Sequence, residues 1–288
     1  MINKKTLKKI PGLVSIKRLI WSIFDFNREK GQTNLNLVKT FPLYQPCSAG
    51  SYDVKSQLTI QTINEVFPSL CALVKNLNGS LLPIEDVVNF PANEIEKNAA
   101  VELMKYFDLY GSDKSDHKYH FLYGSILSNK NDIKNIFEIG LGTNNTDVVS
   151  NMGTHGQPGA SLRAFRDHCP NANIYGADID LRILFQDDRI HTYYVDQTEP
   201  STFSDLLMKV PNNFDLVIDD GLHSPNANIA TLKFGLNIIK RGGWVVVEDI
   251  GFGAIDFWQV TAALLPSKYR CHIFKANEGI IFAVQRVF

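Results

Sequence analysis

Four acidic side chains and one imidazole cluster at two short segments of the chain, Asp219-Asp220-Gly221-Leu222-His223 and Val247-Glu248-Asp249. Each segment follows an apolar run of strand type. Neighbouring parallel strands lie about 5 Å apart, so if these two strands adjoin, Asp220, Glu248 and Asp249 crowd into one small volume. Crowded carboxylates repel, and burial raises that cost unless positive charge sits between them. A divalent cation supplies it, and an all-oxygen donor set suits Mg²⁺, Mn²⁺ or Ca²⁺ better than zinc. The alternative is that Asp219 and Asp220 cap a helix beginning near Ser224 while Glu248 and Asp249 face water. His223 stands just before that helix. A positive helix end and a nearby cation both favour neutral imidazole, which suits it to take a proton from a hydroxyl. A structural histidine is the bland alternative. His117 and His120 remain candidate contacts to substrate or cofactor.

A second constellation lies upstream. Phe137-Glu138-Ile139-Gly140-Leu141-Gly142-Thr143 reads as a strand running into a Gly-x-Gly turn, where a ligand can approach the backbone. A dinucleotide needs a third glycine and a prompt helix to hold its pyrophosphate. Here Asn145 takes the third position, and the long polar stretch from Thr143 to Pro158 delays the helix. A cofactor without pyrophosphate fits better, and S-adenosylmethionine is the common one. Asp178 ends the next strand, where a carboxylate can accept from both ribose hydroxyls. Asp196 ends the one after it, within reach of an adenine amino group. Alone, each of these aspartates reads equally well as a helix cap. With Glu138, Gly140 and Gly142 they form a cofactor-binding set, to which Gln197 and Asp219 are added.

The elements that must position these residues are legible from about residue 106. Ile133–Ile139, Asn173–Asp178, Thr192–Val195, Leu216–Asp219 and Trp244–Glu248 are short strand-like runs alternating with helical stretches, the pattern of βαβ units. Ser224 as N-cap, Pro225 at the first helical position and Gly242 beyond the end bracket a helix, with Ile229, Leu232, Leu236 and Ile239 on one face. Two closing strands, Cys271–Phe274 and Ile280–Gln285, are joined by a short turn that permits only an antiparallel hairpin. The expected fold is α/β: a Rossmann-like mixed sheet of seven strands, five parallel plus the hairpin, flanked by helices. Residues 1–105 read as a mainly helical N-terminal region. Within it Leu58–Leu77 is a helix interrupted or kinked near Pro68.

The chain has 288 residues, 44% hydrophobic and 20% charged, a composition that excludes disordered and collagen-like classes. Lysine plus arginine number 29 against 30 acidic residues, which argues against a globally basic nucleic-acid binder. Residues 1–30 carry eight basic and two acidic side chains, with Leu19, Ile20, Trp21, Ile23 and Phe24 among them. That stretch fits an amphipathic helix touching a membrane surface or partner, or a core-facing helix with solvated lysines. It does not read as a signal peptide, and no run approaches the roughly 20 apolar residues of a transmembrane helix. Cys47, Cys71, Cys169 and Cys271 form no metal-binding spacing and read as free thiols of the cytoplasm.

The segments FEIGLGTNN, GASLRAFRDHCPNANIYGADID, VDQTEP, FDLVIDDGLHSPNANIATLKFGL and RGGWVVVEDI together resemble class I S-adenosylmethionine-dependent methyltransferases. More narrowly they are similar to the metal-dependent sugar O-methyltransferases that act on macrolide and tetracenomycin glycosides, as is the upstream YGSDKSDHKYHFLYGSIL. The resemblance covers about residues 106–250. It implies Mg²⁺ (or Mn²⁺) held by Asp220, Glu248 and Asp249, with His223 as catalytic base. Glu138 and Gly140 would line the cofactor, Ser161 would reach its carboxylate from a helix N-terminus, and Thr143–Pro158 would serve as a lid. It also implies a small-molecule or glycan acceptor and a homo-oligomer built through an N-terminal segment. The leading expectation is O-methylation of a sugar hydroxyl in a glycoside or surface polysaccharide precursor. The alternatives are methylation of a phosphorylated or other small polar acceptor, and a non-catalytic S-adenosylmethionine-binding scaffold.

Overall fold

A computed structural model describes the backbone of residues 52–288 and side chains from residue 64 onward. The basic stretch within residues 1–30 and Cys47 lie outside the described residues. The chain divides into two compact units, Met1–Leu70 and Cys71–Phe288. Residues 71–105, grouped above with the N-terminal region, share the second unit.

Helix α1, Tyr52–Asn78, contains Pro68 in its interior. The second unit is built on one nine-stranded sheet in the order β1-β8-β9-β7-β6-β2-β3-β5-β4. Its strands are β1 Ile84–Asp86, β2 Asn135–Ile139, β3 Asn173–Asp178, β4 Gln186–Asp187, β5 Ile190–Tyr194, β6 Phe214–Asp219, β7 Ile239–Ile250, β8 Tyr269–Lys275 and β9 Ile280–Arg286. The five expected parallel strands are β5, β3, β2, β6 and β7. The closing hairpin β8–β9 packs antiparallel to β7 through β9. The sheet exceeds the expected seven strands by its two edges. β1 joins β8 in parallel, and β4 folds back on β5 through a tight turn in which Arg189 has φ 56°. Both are exposed pieces of three and two residues. Neither is long enough to show the apolar alternation that betrays a strand.

Side-chain alternation along each strand divides the core in two. Ile136, Leu216, Ile218 and Val246 face one layer, which contains α2 (Glu94–Tyr110), α3 (Tyr119–Ile126) and α4 (Ala160–His168). Phe137, Ile139, Val217, Val245 and Val247 face the other, beneath α5 (Pro200–Leu207), α6 (Pro225–Ile238) and α7 (Ile255–Leu264). The expected helix after Ser224 is α6, with Pro225 in its first turn. The Ser224 hydroxyl donates to Asn226 Oδ1 rather than capping the helix. Ile239, expected on its apolar face, is the first residue of β7, and Gly242 lies inside that strand.

Candidate active site

Strand parity decides which acids meet. Glu138 shares a sheet face with Ile136, as Asp220 does with Ile218 and Glu248 with Val246. All three therefore point toward the α2–α4 layer. Asp219 points the other way, toward α6, where Gln197 and Asn228 donate to its two oxygens at 2.7 and 3.0 Å. Adjacent aspartates thus have separate surroundings.

Asp249 should by the same parity face away from Glu248. A register shift between β7 and β9 prevents this. Val247 pairs with Phe282 but Ile250 pairs with Ile280, so β7 carries one extra residue there. Asp249 sits in this bulge with φ 52°. Its side chain joins that of Glu248 on the α3 side. Tyr119 and Tyr123, one helical turn apart on α3, donate to Asp249 Oδ1 and Glu248 Oε1 respectively. Burial first, then the nearby carboxylates, pushes both phenols far up, so they remain neutral donors.

The centre of the cluster is Lys114, which the sequence reading did not single out. Helix α2 ends at Gly111 in the left-handed region, with φ 74°. Ser112 then caps a short 3-10 turn, Asp113–Ser115, that turns Lys114 inward. Its side chain is 2% exposed. Its ammonium lies 2.7 Å from Asp220 Oδ2, 2.5 Å from Glu248 Oε2 and 3.1 Å from Glu138 Oε1. Burial opposes its charge, but Asp220, Glu248 and Glu138 outweigh that and hold it well above the usual lysine value. Burial raises Glu138, Asp220 and Glu248 against the pull of Lys114. The enclosure is still short of positive charge. The positive group required by crowded acids is, for Glu138 and Glu248, this lysine. The signal available in the sequence was a lysine in an otherwise polar turn directly before an aromatic helix, which is too common a pattern to stand out.

Outside Lys114 lies a cavity of about 770 Å³, in the range of small-molecule sites. Gly140, Gly142, Asp178, Asp196, Gln197, Asp220, His223 and Asp249 line it. Glu138, Asp219 and Glu248 do not, and Ser161 lines a smaller recess that shares Gly140, Gly142 and Asp220 with the cavity. The Ser161 hydroxyl donates to Glu138 Oε2 at 2.5 Å instead of facing the cavity. His117 stacks on Tyr119 and His120 is buried, and neither lines the cavity.

Asp178 accepts from the amide of Leu141 at 2.7 Å and of Asp180 at 2.8 Å, fixing the glycine turn. Each carboxylate oxygen retains a second lone pair for a ligand. Asp196 Oδ1 accepts from both the amide and hydroxyl of Thr198, a capping arrangement, while the residue still borders the cavity. Gln197 spans to Asp219, Thr231 and the Leu222 amide, and so holds the β6 loop in place. From the Thr143–Pro158 loop, residues 147–152 form part of the cavity wall. Ser150 anchors the loop to the Gly221 carbonyl at 2.8 Å, and Arg182 ties Asp147 to Asp180.

His223 Nε2 lies 3.9 Å from Asp220 Oδ1 and 3.9 Å from Asp249 Oδ2. These three atoms are a compact O,O,N donor set on the cavity wall. His223 has φ 54°, so it and Asp249 are two of the four non-glycine residues with positive φ among the described residues. Such backbone is sparsely populated and collects at functional sites.

Parallel strands in this order, closed by a reversed hairpin and carrying a cavity beyond their carboxyl ends, form the class I methyltransferase fold. The chain is 36% identical over 102 residues to mycinamicin VI 2''-O-methyltransferase of Micromonospora griseorubida, matching 33% of this chain and 25% of that one. It is 31% identical over 108 residues to 8-demethyl-8-alpha-L-rhamnosyl tetracenomycin-C 2'-O-methyltransferase of Streptomyces olivaceus, matching 36% and 28%. The chain thus spans about a quarter of the length of these curated relatives. The solved MycE methyltransferase in complex with Mg, SAH and mycinamycin VI shares the fold, with TM-score 0.50 and 19% identity over 64% of this chain and 54% of that one. No family model matches the chain.

Proposed function

We propose that this protein is an S-adenosylmethionine-dependent, divalent-metal-assisted O-methyltransferase acting on a sugar hydroxyl. The observation that carries the reading is the convergence of Asp220, His223 and Asp249 on the wall of the cavity that also contains Gly140, Gly142 and Asp178. The residues suit both groups. Both glycines of the turn line the cavity, and Gly140 brings the backbone of β2 against that of Asp220, which joins the cofactor side of the cavity to the acidic side. Asp178 offers spare acceptor capacity for ribose. Asp220 Oδ1 and Asp249 Oδ2 face each other across His223, as ligands to a hard cation do.

When bound, the cofactor supplies an electrophilic methyl group and the cation supplies Lewis acidity toward an acceptor oxygen. The chain's own contribution is placement and proton transfer. Asp220 and Asp249 would hold the ion beside the cavity, with Glu248, whose oxygens meet Lys114 and Tyr123, as the third expected ligand. His223 Nε2 accepts the acceptor hydroxyl's proton as that oxygen bonds to the methyl carbon, and the electron pair of the breaking C–S bond remains on sulfur. The loop containing Ser150 and Met152 covers the cavity and limits water. The sugar acceptor rests on the likeness to the macrolide and tetracenomycin enzymes. The region before residue 106 is assigned to assembly or acceptor binding. No described helix is long and apolar enough to cross a membrane; free Cys71, Cys169 and Cys271 fit a reducing cytoplasm.

The test is methyl transfer from isotopically labelled S-adenosylmethionine to a panel of deoxysugar glycosides, free sugars and sugar phosphates, with and without chelator. Labelled O-methyl product on a glycoside that disappears with chelator and returns with Mg²⁺ supports the reading. Chelator-resistant transfer refutes the metal, and transfer confined to sugar phosphates refutes the acceptor.

A further inference from the structure

The loop that follows the glycine turn is fastened to both sides of the cavity. Residues 147–152 of this loop border the cavity along their whole length. On the β6 side, the Ser150 hydroxyl donates to the Gly221 carbonyl, next to Asp220. On the β3 side, the Arg182 guanidinium stands between two carboxylates. Its Nη1 and Nη2 donate to Asp147 Oδ2 and Oδ1 at 3.2 and 2.9 Å. Its Nε and Nη2 donate to Asp180 Oδ1 and Oδ2 at 2.7 and 3.0 Å. We infer that Arg182 is a positioning residue for methyl transfer: anchored on Asp180, it latches the loop through Asp147 and so sets how fast S-adenosylmethionine enters and S-adenosylhomocysteine leaves. This rests on the cofactor reading above.

The two carboxylates differ in the way a latch requires. Asp180 is the fixed half, with its side chain 3% exposed. Besides Arg182 it accepts from Thr143 Oγ1 at 2.7 Å and Asn145 Nδ2 at 2.8 Å, which pins the root of the loop. Its amide donates to Asp178 Oδ1, so the anchor is built onto the ribose side of the cavity. Asp147 is the releasable half, with its side chain 71% exposed. Hydrogen bonds from Arg182 hold both carboxyls below the usual range. The outer pair stands in water, where salt screens it and its strength is small enough to break in each turnover. Gripping both oxygens of Asp147 while holding Asp180 takes the planar fork of arginine, which lysine lacks. Every bond of the latch joins protein groups, so it holds the loop with the cavity filled or empty. Its release therefore speeds entry and exit alike, whereas losing a contact to the cofactor would change affinity.

The test follows association and dissociation of S-adenosylhomocysteine by surface plasmon resonance on wild-type protein, Arg182→Lys and Asp147→Ala, in about 0.05 M and about 0.5 M KCl. At low salt both variants should associate and dissociate about threefold to fivefold faster than the wild type, with the dissociation constant changed less than about twofold. High salt should speed both rates of the wild type, and both variants should lose most of that response. The ligand is a zwitterion without net charge, so salt acts on the latch rather than on encounter. Unchanged rates in the variants overturn the inference. Faster dissociation with an unaltered association rate also overturns it, because that makes Arg182 a cofactor contact. Should Arg182→Lys fail to fold, Asp147→Ala decides, since Asp147 is an exposed loop residue. Wild-type protein that binds no S-adenosylhomocysteine overturns the cofactor reading itself, whereas tight binding with unaltered gating in the variants overturns the latch alone.

Discussion

A Cβ placed on Gly140 would stand 1.9 Å from the carbonyl oxygen of Asp220. The glycine turn of β2 and the acidic end of β6 are therefore in backbone contact, and the Asp220 amide also donates to the Ile139 carbonyl at 2.8 Å. The cofactor half and the metal half of the site are joined at this point. Gly140 also has φ 93°, where an L side chain is strained. Gly140→Ala should cost more than about 2 kcal/mol, the sum of left-handed strain and displaced backbone. It should also weaken cofactor and metal binding together. Gly142→Ala meets only the Met152 side chain, which can move. It should cost about 1–2 kcal/mol and leave metal affinity unchanged. Chemical denaturation with S-adenosylhomocysteine and Mn²⁺ titrations on both variants checks the contrast. Equal losses for the two would sink it.

Tyr119 provides a milder test of the same wall. Its hydroxyl orients Asp249, whose bulged backbone would otherwise leave the carboxylate free to rotate. Groups that orient metal ligands are worth about 10–100-fold in metal affinity. Tyr119→Phe should raise the dissociation constant for Mn²⁺ by about that factor with little change in S-adenosylhomocysteine affinity. Isothermal titration calorimetry reads both. An unaltered metal affinity would show that Asp249 does not bind the ion.

His223 pairs with none of Lys114, Glu138 and Glu248 and approaches only the outer oxygens of Asp220 and Asp249, at 3.9 Å, so its loss should leave the enclosure standing. His223→Ala is expected to lower kcat by about 10²–10⁴, the usual worth of a general base, with KM for cofactor nearly unchanged. Steady-state kinetics on a methylated glycoside acceptor measures this. Near-wild-type turnover would return His223 to a structural role.

Most of the sheet was legible because its inner strands are buried on both faces and alternate with well-capped helices. Asp220, His223 and Asp249 were legible as residue types at neighbouring strand ends. The sequence could not show which acids face which side. That depended on parity for Asp219, which turns to Gln197 and Asn228, and on a one-residue bulge for Asp249. Nor could it show Lys114, which comes from a turn 106 residues before Asp220 and meets it only in three dimensions. Physical reasoning demanded positive charge among the acids but not its source. The bond between Ser161 and Glu138, two residues expected to line the cofactor, was not legible either, because it joins a helix N-terminus to a buried strand position.

Acid sensitivity should come in part from a residue remote from the site. His168 on α4 is buried, and burial lowers its pKa from 6.5 to about 4 despite the nearby Glu102. The folded state therefore prefers the neutral ring more strongly than the unfolded chain does. Its contribution to stability is fully present above pH 6.5 and is lost as pH falls through about 4, where the unfolded chain binds a proton that the native state has resisted. At about 1.4 kcal/mol per pKa unit, the loss is on the order of 3–4 kcal/mol. His168→Gln removes the titrating ring and should be less stable than the wild type at pH 7.5 by the lost packing. That deficit should shrink steadily between pH 6.5 and 4. Urea unfolding across that range measures it, and parallel pH profiles for the two proteins would show that His168 does not carry the effect.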